Sequence, residues 1–466
     1  MPTIALINCA KGLTDMVLTP AQQNIGLVVI KQALESAGID VLMLPEEPVD
    51  FSSENLDEGI RAMYFPIFER SHDIAYVGMS VMSETMWLMN MHAQTLRHIV
   101  PEIPLAAGGA AFRRELSLER KGLRDPVHWT LEEGIVDLVN VGHAASFVQL
   151  CKTCDRDLPG IYHWDDGLQG SGTSGIPELD RLPIGMGESD SIRVVLRDVC
   201  GNACDYCVTY SGGFAIDPSI AVRDLRAHLD THPEHTRLVV SDSNPFANWS
   251  YYDDILTGLQ GRNQHTTTYL EPTNYAHSPE LHHTAIRKHR LDRMFIGRDT
   301  VYETDAAFMG RRYQGKSKTQ AMLDTEAVAL KELIKFLKAE DRPTQLQIHY
   351  ILSPSLTPEH GIALVDEMME MDALGNDTVD VSIGVFPLLP HPGTRLRREH
   401  IEHIIGPEDY LSFRGYDIRW RDSLPGSACI EVIGRARPVD MNFQERYTAA
   451  RAELAGMRAA GTYRES

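Results

Sequence analysis

Three cysteines lie close together near the middle of the chain, in the segment Cys200-Gly-Asn-Ala-Cys204-Asp-Tyr-Cys207. The segment follows a strand-like run, and its intervals of three and two residues allow the three thiolates to converge in one loop. Three thiolates suit three corners of a [4Fe-4S] cube, which leaves the fourth iron open to another ligand. The spacing therefore predicts that Cys200, Cys204 and Cys207 bind an iron–sulfur cluster.

The other cysteines define the alternatives. Seven cysteines in 466 residues are too sparse for a disulfide scaffold. Cys9 and Cys429 are isolated, but Cys151 and Cys154 form a CxxC pair that would help the clustered cysteines to make a structural zinc site. A structural or sensing cluster, in a protein that is not an enzyme, rests on the same three clustered cysteines.

The cluster segment belongs to a series of strand-like runs separated by helical patterns. The runs are Ile192–Arg197, Leu238–Ser241, Thr268–Glu271, Met294–Gly297, Leu346–Leu352 and Val379–Phe386. Six strands alternating with helices predict an open, partial (β/α)6 barrel over residues 191–400. A C-terminal region, residues 401–466, follows and ends in a surface helix over Gln444–Ala460.

An earlier α/β domain is predicted over residues 1–150. Its strand-like runs are Ile4–Asn8, Val41–Leu44, Ile74–Ser80, Pro104–Ala107 and Val136–Val141. Helical patterns between the runs predict a doubly wound, Rossmann-like parallel sheet, whose ligands would bind beyond the carboxyl ends of its strands. Residues 151–190 are rich in Gly, Pro and Asp and show little periodicity, so we predict an interdomain linker there.

The cysteine segment resembles the CxxxCxxC loop of the radical S-adenosylmethionine (SAM) superfamily, and the resemblance covers roughly residues 190–400. It implies that SAM occupies the open iron and that one electron from the cluster cleaves SAM into methionine and a 5′-deoxyadenosyl radical. That radical would abstract a hydrogen atom from the substrate. The resemblance also implies an electron donor protein such as a flavodoxin or ferredoxin.

The same resemblance nominates SAM contacts at the strand ends. Tyr206 occupies the position where family members place an aromatic residue against the adenine, and Arg311 would pair with the SAM carboxylate. The predicted cofactor-binding residues are Tyr206, Ser241, Asp242, Asn244, Glu271, Asp299 and Arg311. The alternative for the charged members is a helix cap or a surface ion. Strand alternation sends His349 and Tyr350 to opposite faces, and the resemblance places the adenine near Leu388–Gly393.

Three further patterns resemble the radical SAM branch with an N-terminal cobalamin-binding-type domain. They are Ser80-Val-Met-Ser83-Glu-Thr, Pro104-Leu-Ala-Ala-Gly108-Gly109 and Phe386-Pro-Leu-Leu-Pro-His-Pro-Gly-Thr394. The chain has no Asp-x-His-x-x-Gly motif, and Gly142-His143-Ala144-Ala145 stands where relatives often carry Gly-Glu-Gly-Glu. Two alternatives stay open: a domain that binds cobalamin, and one that keeps the fold without the corrin.

Composition excludes several classes of function. Lys and Arg number 44 against 65 for Asp and Glu, a formal net charge of −21, so attraction to a nucleic-acid backbone is not expected. The sequence has no apolar run long enough to span a membrane, and its start does not show a signal-peptide pattern, so we expect a cytoplasmic protein. The acidity suits a cationic substrate, and it also suits solubility alone.

Length, domain order and the incomplete cobalamin pattern resemble the radical SAM diol dehydratases of aminoglycoside antibiotic biosynthesis. This resemblance implies loss of the 3′-hydroxyl of an aminoglycoside such as paromamine, giving a 4′-keto product for a separate NADPH-dependent reductase. The catalytic base stays unassigned among the acidic residues near the predicted mouth, which are Glu188, Asp198, Asp242, Glu271 and Asp299. The alternative is a cobalamin-dependent radical methyltransferase or cyclase acting on a small metabolite.

Overall fold

A computed structural model describes residues 3–9, 17–18, 25–44, 49–50, 56–81, 85–109, 111–112, 125–175, 177, 179–186, 190–197, 200–207, 215–262, 265–391, 394–400, 426–436 and 442–460. The chain divides into two compact units, one mainly Met1–Val194 and the other mainly Val195–Pro390 with Arg419–Ser466. None of the described helices is long and apolar enough to cross a membrane.

The first unit is built on a predominantly parallel sheet. The strands described within the unit, not all of them in this sheet, are β1 (Thr3–Asn8), β2 (Val17–Leu18), β3 (Asp40–Leu44), β4 (Val49–Asp50), β5 (Ile74–Ser80), β6 (Leu105–Gly108), β7 (Leu138–Asn140), β8 (Ile161–Trp164), β9 (Leu168–Gly170), β10 (Ile184–Met186) and β11 (Ser191–Val194). The sheet has the order β3-β1-β5-β6-β7-β8-β9, with β3 through β7 parallel. β10 pairs antiparallel with β11.

Helices alternate with these strands. They are α1 (Ile25–Ser36), α2 (Leu56–Glu69), α3 (Met86–Ile99), α4 (Pro126–Glu132) and α5 (Ala145–Thr153). β1 is apolar and buried along almost its whole length, as a central parallel strand covered on both faces must be. Its Ile4 and Leu6 pack with Leu34 of α1 and Leu150 of α5 in one core cluster.

The predicted linker over residues 151–190 is wrong for its middle part, because β8 and β9 extend the N-terminal sheet there. β8 pairs antiparallel with β7, and β9 pairs antiparallel with β8. The Asp165-Asp166-Gly167 run is the hairpin turn, with positive φ at Asp166 (52°) and Gly167 (140°). Such turns favour Asp and Gly. In this part of the chain, the Asp- and Gly-rich composition that predicted a linker therefore belongs to a hairpin turn.

The second unit is a parallel β/α series. Its strands are β12 (Arg237–Val240), β13 (His265–Leu270), β14 (Leu291–Asp299), β15 (Arg312–Tyr313), β16 (Lys316–Ser317), β17 (Thr344–Leu352) and β18 (Val379–Pro387). Its helices up to β18 are α6 (Pro218–Thr231), α7 (Trp249–Gly258), α8 (Pro272–His277), α9 (Pro279–His289), α10 (Glu303–Phe308), α11 (Gln320–Ala339) and α12 (Pro358–Ala373). The strands β12-β13-β14-β17-β18 are parallel neighbours in that order. The expected α/β class, a Rossmann-like sheet followed by a second parallel β/α sheet, is confirmed.

After β18, the described residues form three short to medium helices. They are α13 (Arg395–Glu399), α14 (Ser427–Arg435) and α15 (Phe443–Ala460). The helix predicted at Gln444–Ala460 as a surface element buries Tyr447, Ala450 and Leu454. A Cβ placed at Gly361 of α12 would lie 3.1 Å from the Leu454 side chain, so α15 packs closely on α12.

Three helices of the second unit begin with the same arrangement of residues. Asp217, Glu271 and Thr357 are N-caps whose side chains accept a backbone N–H, and a proline occupies the first helical position after each of them. Proline suits that position because its N–H is absent and its φ is already helical. The strand-to-helix turns after β13 and β17 are therefore firmly defined at the carboxyl edge of the sheet.

Candidate functional site

The predicted cluster cysteines lie together in the short loop 200–207. All three are free thiols and partly exposed, and the Cys207 N–H donates to the Cys204 carbonyl at 3.2 Å. Burial raises the pKa of Cys200 and Cys204, and the neighbouring thiolates of the loop raise it further. Three partly exposed cysteines in one eight-residue loop fit a site for an iron centre with thiolate ligands.

A second loop, 310–314, holds the cysteine loop in place. The Asp205 N–H donates to the Gly310 carbonyl at 3.0 Å, and the Arg312 guanidinium donates to the Asp205 carboxylate at 3.2 Å. The Arg312 N–H points at the Cys204 sulfur at 3.3 Å. Gly310 has φ of 59°, and a Cβ there would lie 2.1 Å from Asp205 Oδ2. Sequence reasoning missed Gly310 and Arg312, because nothing in a pattern of residue types tells that two distant loops meet.

The CxxC pair does not share this environment. Cys151 lies on α5 within the core cluster of the first unit, and burial raises its pKa to about 12. Cys154 is exposed and ends α5 in a left-handed conformation. A thiol kept protonated inside an apolar core is a poor metal ligand, which weighs against the zinc alternative.

Tyr206, Asp299 and Arg311 meet at the carboxyl end of β14. The Tyr206 hydroxyl donates to Asp299 Oδ2 at 2.7 Å, and Arg311 forms an ion pair with the same carboxylate. Arg311 also donates to the Gly297 carbonyl at 2.8 Å and lies 3.4 Å from Glu271 Oε1. Asp299 itself has φ of 59°, a strained conformation that turns the chain out of the strand. Four of the nominated residues are thus brought together.

A buried ionic network extends from this group. Its carboxylates are Glu271, Asp299, Glu326 and Glu367, and its cations are Arg298, Arg311 and Lys318. Burial alone would raise the pKa of Glu326, yet Arg311, Lys318 and Arg298 hold it below its usual range. Sequence reasoning missed Arg298, Lys318 and Glu326, because charged residues are normally assigned to the solvent-exposed surface whichever element they lie on.

The nominated residues after β12 have different surroundings. The two carboxylate oxygens of Asp242 accept the N–H groups of Leu196 and Arg197 at 2.9 and 2.8 Å, and Tyr252 donates to it at 2.7 Å. Asp242 therefore fixes the backbone that leads into the cysteine loop. Asn244 accepts from Asn274 at 2.7 Å and hydrogen-bonds Cys200, which lowers the pKa of that thiol against the effect of burial.

Of the remaining predicted positions, Ser241 lies directly after β12 and is half-buried. Leu388 N–H donates to the Leu352 carbonyl at 3.0 Å, which continues the pairing of β17 and β18. Four residues discussed from the sequence, Ser83, Glu188, Asp198 and Gly393, lie outside the described residues. The cofactor roles of all the nominated residues stay predictions.

His349 and Tyr350 lie on opposite faces of β17, as strand alternation requires. Tyr350 is fully buried and donates to Glu367 of α12 at 3.1 Å. His349 faces away from that helix, with ring centroids 5.9 Å from Phe295 and 5.1 Å from Phe386. Its Nε2 is buried and has no hydrogen-bond partner among the described residues. Buried imidazole nitrogens in folded proteins usually have a hydrogen-bond partner.

The glycine turns of the first unit allow a test of the predicted corrin contact. A Cβ at Gly109, where φ is 112°, would lie 2.5 Å from the Val81 carbonyl oxygen. At Gly142, where φ is 99°, it would lie 2.7 Å from the Ser174 carbonyl oxygen. Close approach of the chain's own backbone explains both glycines. These two turns therefore do not indicate a cobalamin site by themselves.

Comparison with known proteins concerns the fold. No protein-family model matches the chain, and no curated protein matches it in sequence. Among solved structures it is similar to the cobalamin-dependent S-adenosylmethionine radical enzyme OxsB, which was solved with aqua-cobalamin and S-adenosylmethionine bound. The TM-score is 0.57 at 12% identity, and the match covers 99% of this chain and 62% of OxsB. This protein therefore shares the α/β fold of a cobalamin-dependent radical SAM enzyme.

Proposed function

We propose that the protein is a radical SAM enzyme whose Cys200, Cys204 and Cys207 hold a [4Fe-4S] cluster. The observation that carries this proposal is the cysteine loop itself, fastened to loop 310–314 beside the carboxyl end of β14. When bound, cluster and SAM would supply the carbon radical that removes a hydrogen atom from the substrate. The protein would supply orientation and exclusion of water.

Tyr206, Asp299 and Arg311 are the residues we assign to positioning SAM. Asp299 is held between the Tyr206 hydroxyl and Arg311, and its carboxylate would accept hydrogen bonds from the ribose hydroxyls of SAM. Arg311 already pairs with Asp299 and Glu271. A SAM carboxylate would join these groups, because guanidinium has five N–H donors and can serve several acceptors at once.

For the reaction, we propose radical dehydration of an aminoglycoside such as paromamine. Hydrogen is removed from C4′, the C3′ hydroxyl leaves as water, and one electron and one proton complete a 4′-keto, 3′-deoxy product. A flavodoxin or ferredoxin is the proposed electron donor, and a separate NADPH-dependent reductase would act on the product. The net charge of −21 suits a substrate with several ammonium groups, and His349 Nε2 is the group we assign to a substrate hydroxyl.

The decisive test is anaerobic reconstitution with iron and sulfide, followed by dithionite, SAM and mass spectrometry of 5′-deoxyadenosine with and without paromamine. We expect paromamine to stimulate 5′-deoxyadenosine and to lose one water. Cys204→Ser is the matched control and should abolish both. Deoxyadenosine without stimulation would keep the superfamily and reject the substrate, whereas none from an intact cluster would reject the proposal.

The second candidate is a cobalamin-dependent radical methyltransferase or cyclase, which the fold similarity to OxsB favours. The two candidates differ in what the purified protein retains and releases. A corrin that stays bound through purification, together with S-adenosylhomocysteine among the products, would select the second. Neither candidate requires nucleic acid or a membrane, and we propose that the enzyme works in the cytoplasm.

A further inference from the structure

Three histidines and a glutamate crowd together at the end of α6, away from the cysteine loop. His232, Glu234 and His235 can each present one ligand atom within 4.8 Å of the others. His228 lies one helical turn before His232, with ring centroids 4.7 Å apart. The four residues form the sequence pattern His-x-x-x-His-x-Glu-His, which we call the histidine cluster.

One hydrogen bond inside the cluster fixes the buried member. His228 Nε2 and His235 Nδ1 are 3.0 Å apart, their ring planes differ by 5°, and the centroids are 5.1 Å apart. This is the geometry of two imidazoles joined edge to edge by one N–H···N bond. With His228 Nε2 as the acceptor and His235 Nδ1–H as the donor of this bond, His235 Nε2 carries the lone pair that a metal ion needs.

The exposed residues of the histidine cluster, His232 and Glu234, supply further ligand atoms for a cation. The side chains of His232 and Glu234 are 49% and 59% exposed, and His232 Nδ1 lies 3.1 Å from Glu234 Oε1. The Glu234 carboxylate therefore places an oxygen ligand beside the imidazoles of the cluster. His232 is also the C-cap of α6, where the negative end of the helix dipole favours a cation.

We propose that His232, Glu234 and His235 bind a divalent transition metal of the zinc class. Two imidazole nitrogens and one carboxylate oxygen are ligands that zinc prefers, with water in a fourth position. His228 acts as a positioning residue that orients the His235 ring, in the way that partners of metal-bound histidines usually do.

The position of the site separates it from the proposed radical chemistry. α6 precedes β12, so the end of the helix and the start of the strand lie at the amino edge of the parallel sheet. The cysteine loop and the ends of β13 and β14 belong to the carboxyl edge. A metal here would tie the end of α6 to the turn before β12 without touching the radical chemistry.

The test uses protein whose cluster is already reconstituted, because free cluster thiols would also bind zinc. Zinc is titrated against a chromophoric chelator with the wild type, His232→Ala, Glu234→Gln and His228→Phe. We expect one further equivalent of zinc in the wild type, its loss in His232→Ala, and affinity weaker by about tenfold or more in His228→Phe. Both ligand substitutions are at exposed positions, so the fold should persist.

The matched control is His72→Ala, which removes an exposed histidine beside Asp73 in the other unit and should keep the extra equivalent. Zinc should raise the melting temperature of the wild type and of His72→Ala but not of His232→Ala. Equal zinc stoichiometry and affinity in the wild type and His232→Ala would overturn the proposal. Because zinc binding is measured without SAM or substrate, this outcome is independent of the proposed radical activity.

Discussion

At the scale of one residue, His349 lies on β17 between two glycines of the neighbouring strands. It pairs in register with Gly384 on one side and Gly297 on the other. A Cβ at Gly384 would lie 2.7 Å from the His349 ring, so glycine leaves room for the imidazole there. Burial lowers the pKa of His349, and the neutral ring can offer either a donor or an acceptor near neutral pH.

Replacing His349 by Phe should therefore affect substrate turnover and spare SAM cleavage. Loss of one hydrogen bond between neutral groups corresponds to roughly a three- to tenfold fall in kcat/KM for product formation. The measurement is the ratio of product to 5′-deoxyadenosine, which should fall in His349→Phe and recover in part in His349→Gln. An unchanged ratio in His349→Phe would remove His349 from the substrate site.

At the scale of elements, the loop 310–314 decides whether the cysteine loop keeps its shape. Gly310→Ala should reduce the iron bound after reconstitution, because its Cβ would lie 2.1 Å from Asp205 Oδ2. Gly315→Ala is the matched control, since Gly315 also has positive φ, 76°, but a Cβ there meets nothing within 4 Å. Backbone strain of about 1–3 kcal/mol is common to both substitutions. Equal iron content in the two variants would contradict the anchoring role.

The buried network connects β14, α11 and α12 through charge. The side chains of Glu326 and Arg298 are 0% and 1% exposed, and their closest N–O distance is 3.1 Å. Glu326→Gln should destabilise the protein by about 3–5 kcal/mol, because it leaves buried cations uncompensated. Glu332→Gln, whose partner Lys335 is exposed, should cost less than about 1 kcal/mol. Urea denaturation of both variants measures the difference.

The Glu326→Gln substitution should also change how the stability of the protein depends on pH. The pKa of Glu326 is lower in the folded protein than its ordinary value, so its stabilisation is present above the ordinary glutamate pKa of about 4.3. It is lost as pH falls through the lowered folded value. Between pH 3 and 5 the stability of Glu326→Gln should therefore change less steeply than that of the wild type. Parallel curves would contradict this account.

Secondary-structure periodicity predicted most strands of both sheets, because parallel strands that are covered on both faces read as apolar runs. β8 and β9 were missed, since they are short and sit among turn residues. At the site, the resemblance to the radical SAM superfamily nominated Tyr206, Asp299 and Arg311, whose side chains the structure brings together. Lys318 and Glu326 could not be predicted, because the burial of a charged side chain depends on tertiary packing that brings its partners together.

At the scale of the whole molecule, the charge of −21 predicts how a cationic substrate arrives. If paromamine is the substrate, its kcat/KM should fall severalfold as salt is raised toward 1 M, where the Debye length is about 3 Å. The rate of 5′-deoxyadenosine formation without substrate should change much less and serves as the control. Steady-state kinetics over a salt series would measure both, and a flat kcat/KM would contradict steering by charge.

The hairpin of β8 and β9 also affects how the N-terminal sheet resists self-association. An outer strand with free N–H and C=O groups is a template for pairing with another chain. β8 covers that side of β7, and β9, the outermost strand, is only three residues long, largely exposed and ends in Gly170. Cutting the chain at residue 150 would uncover β7 and invite strand addition between copies, whereas a cut after residue 175 keeps the protective edge in place.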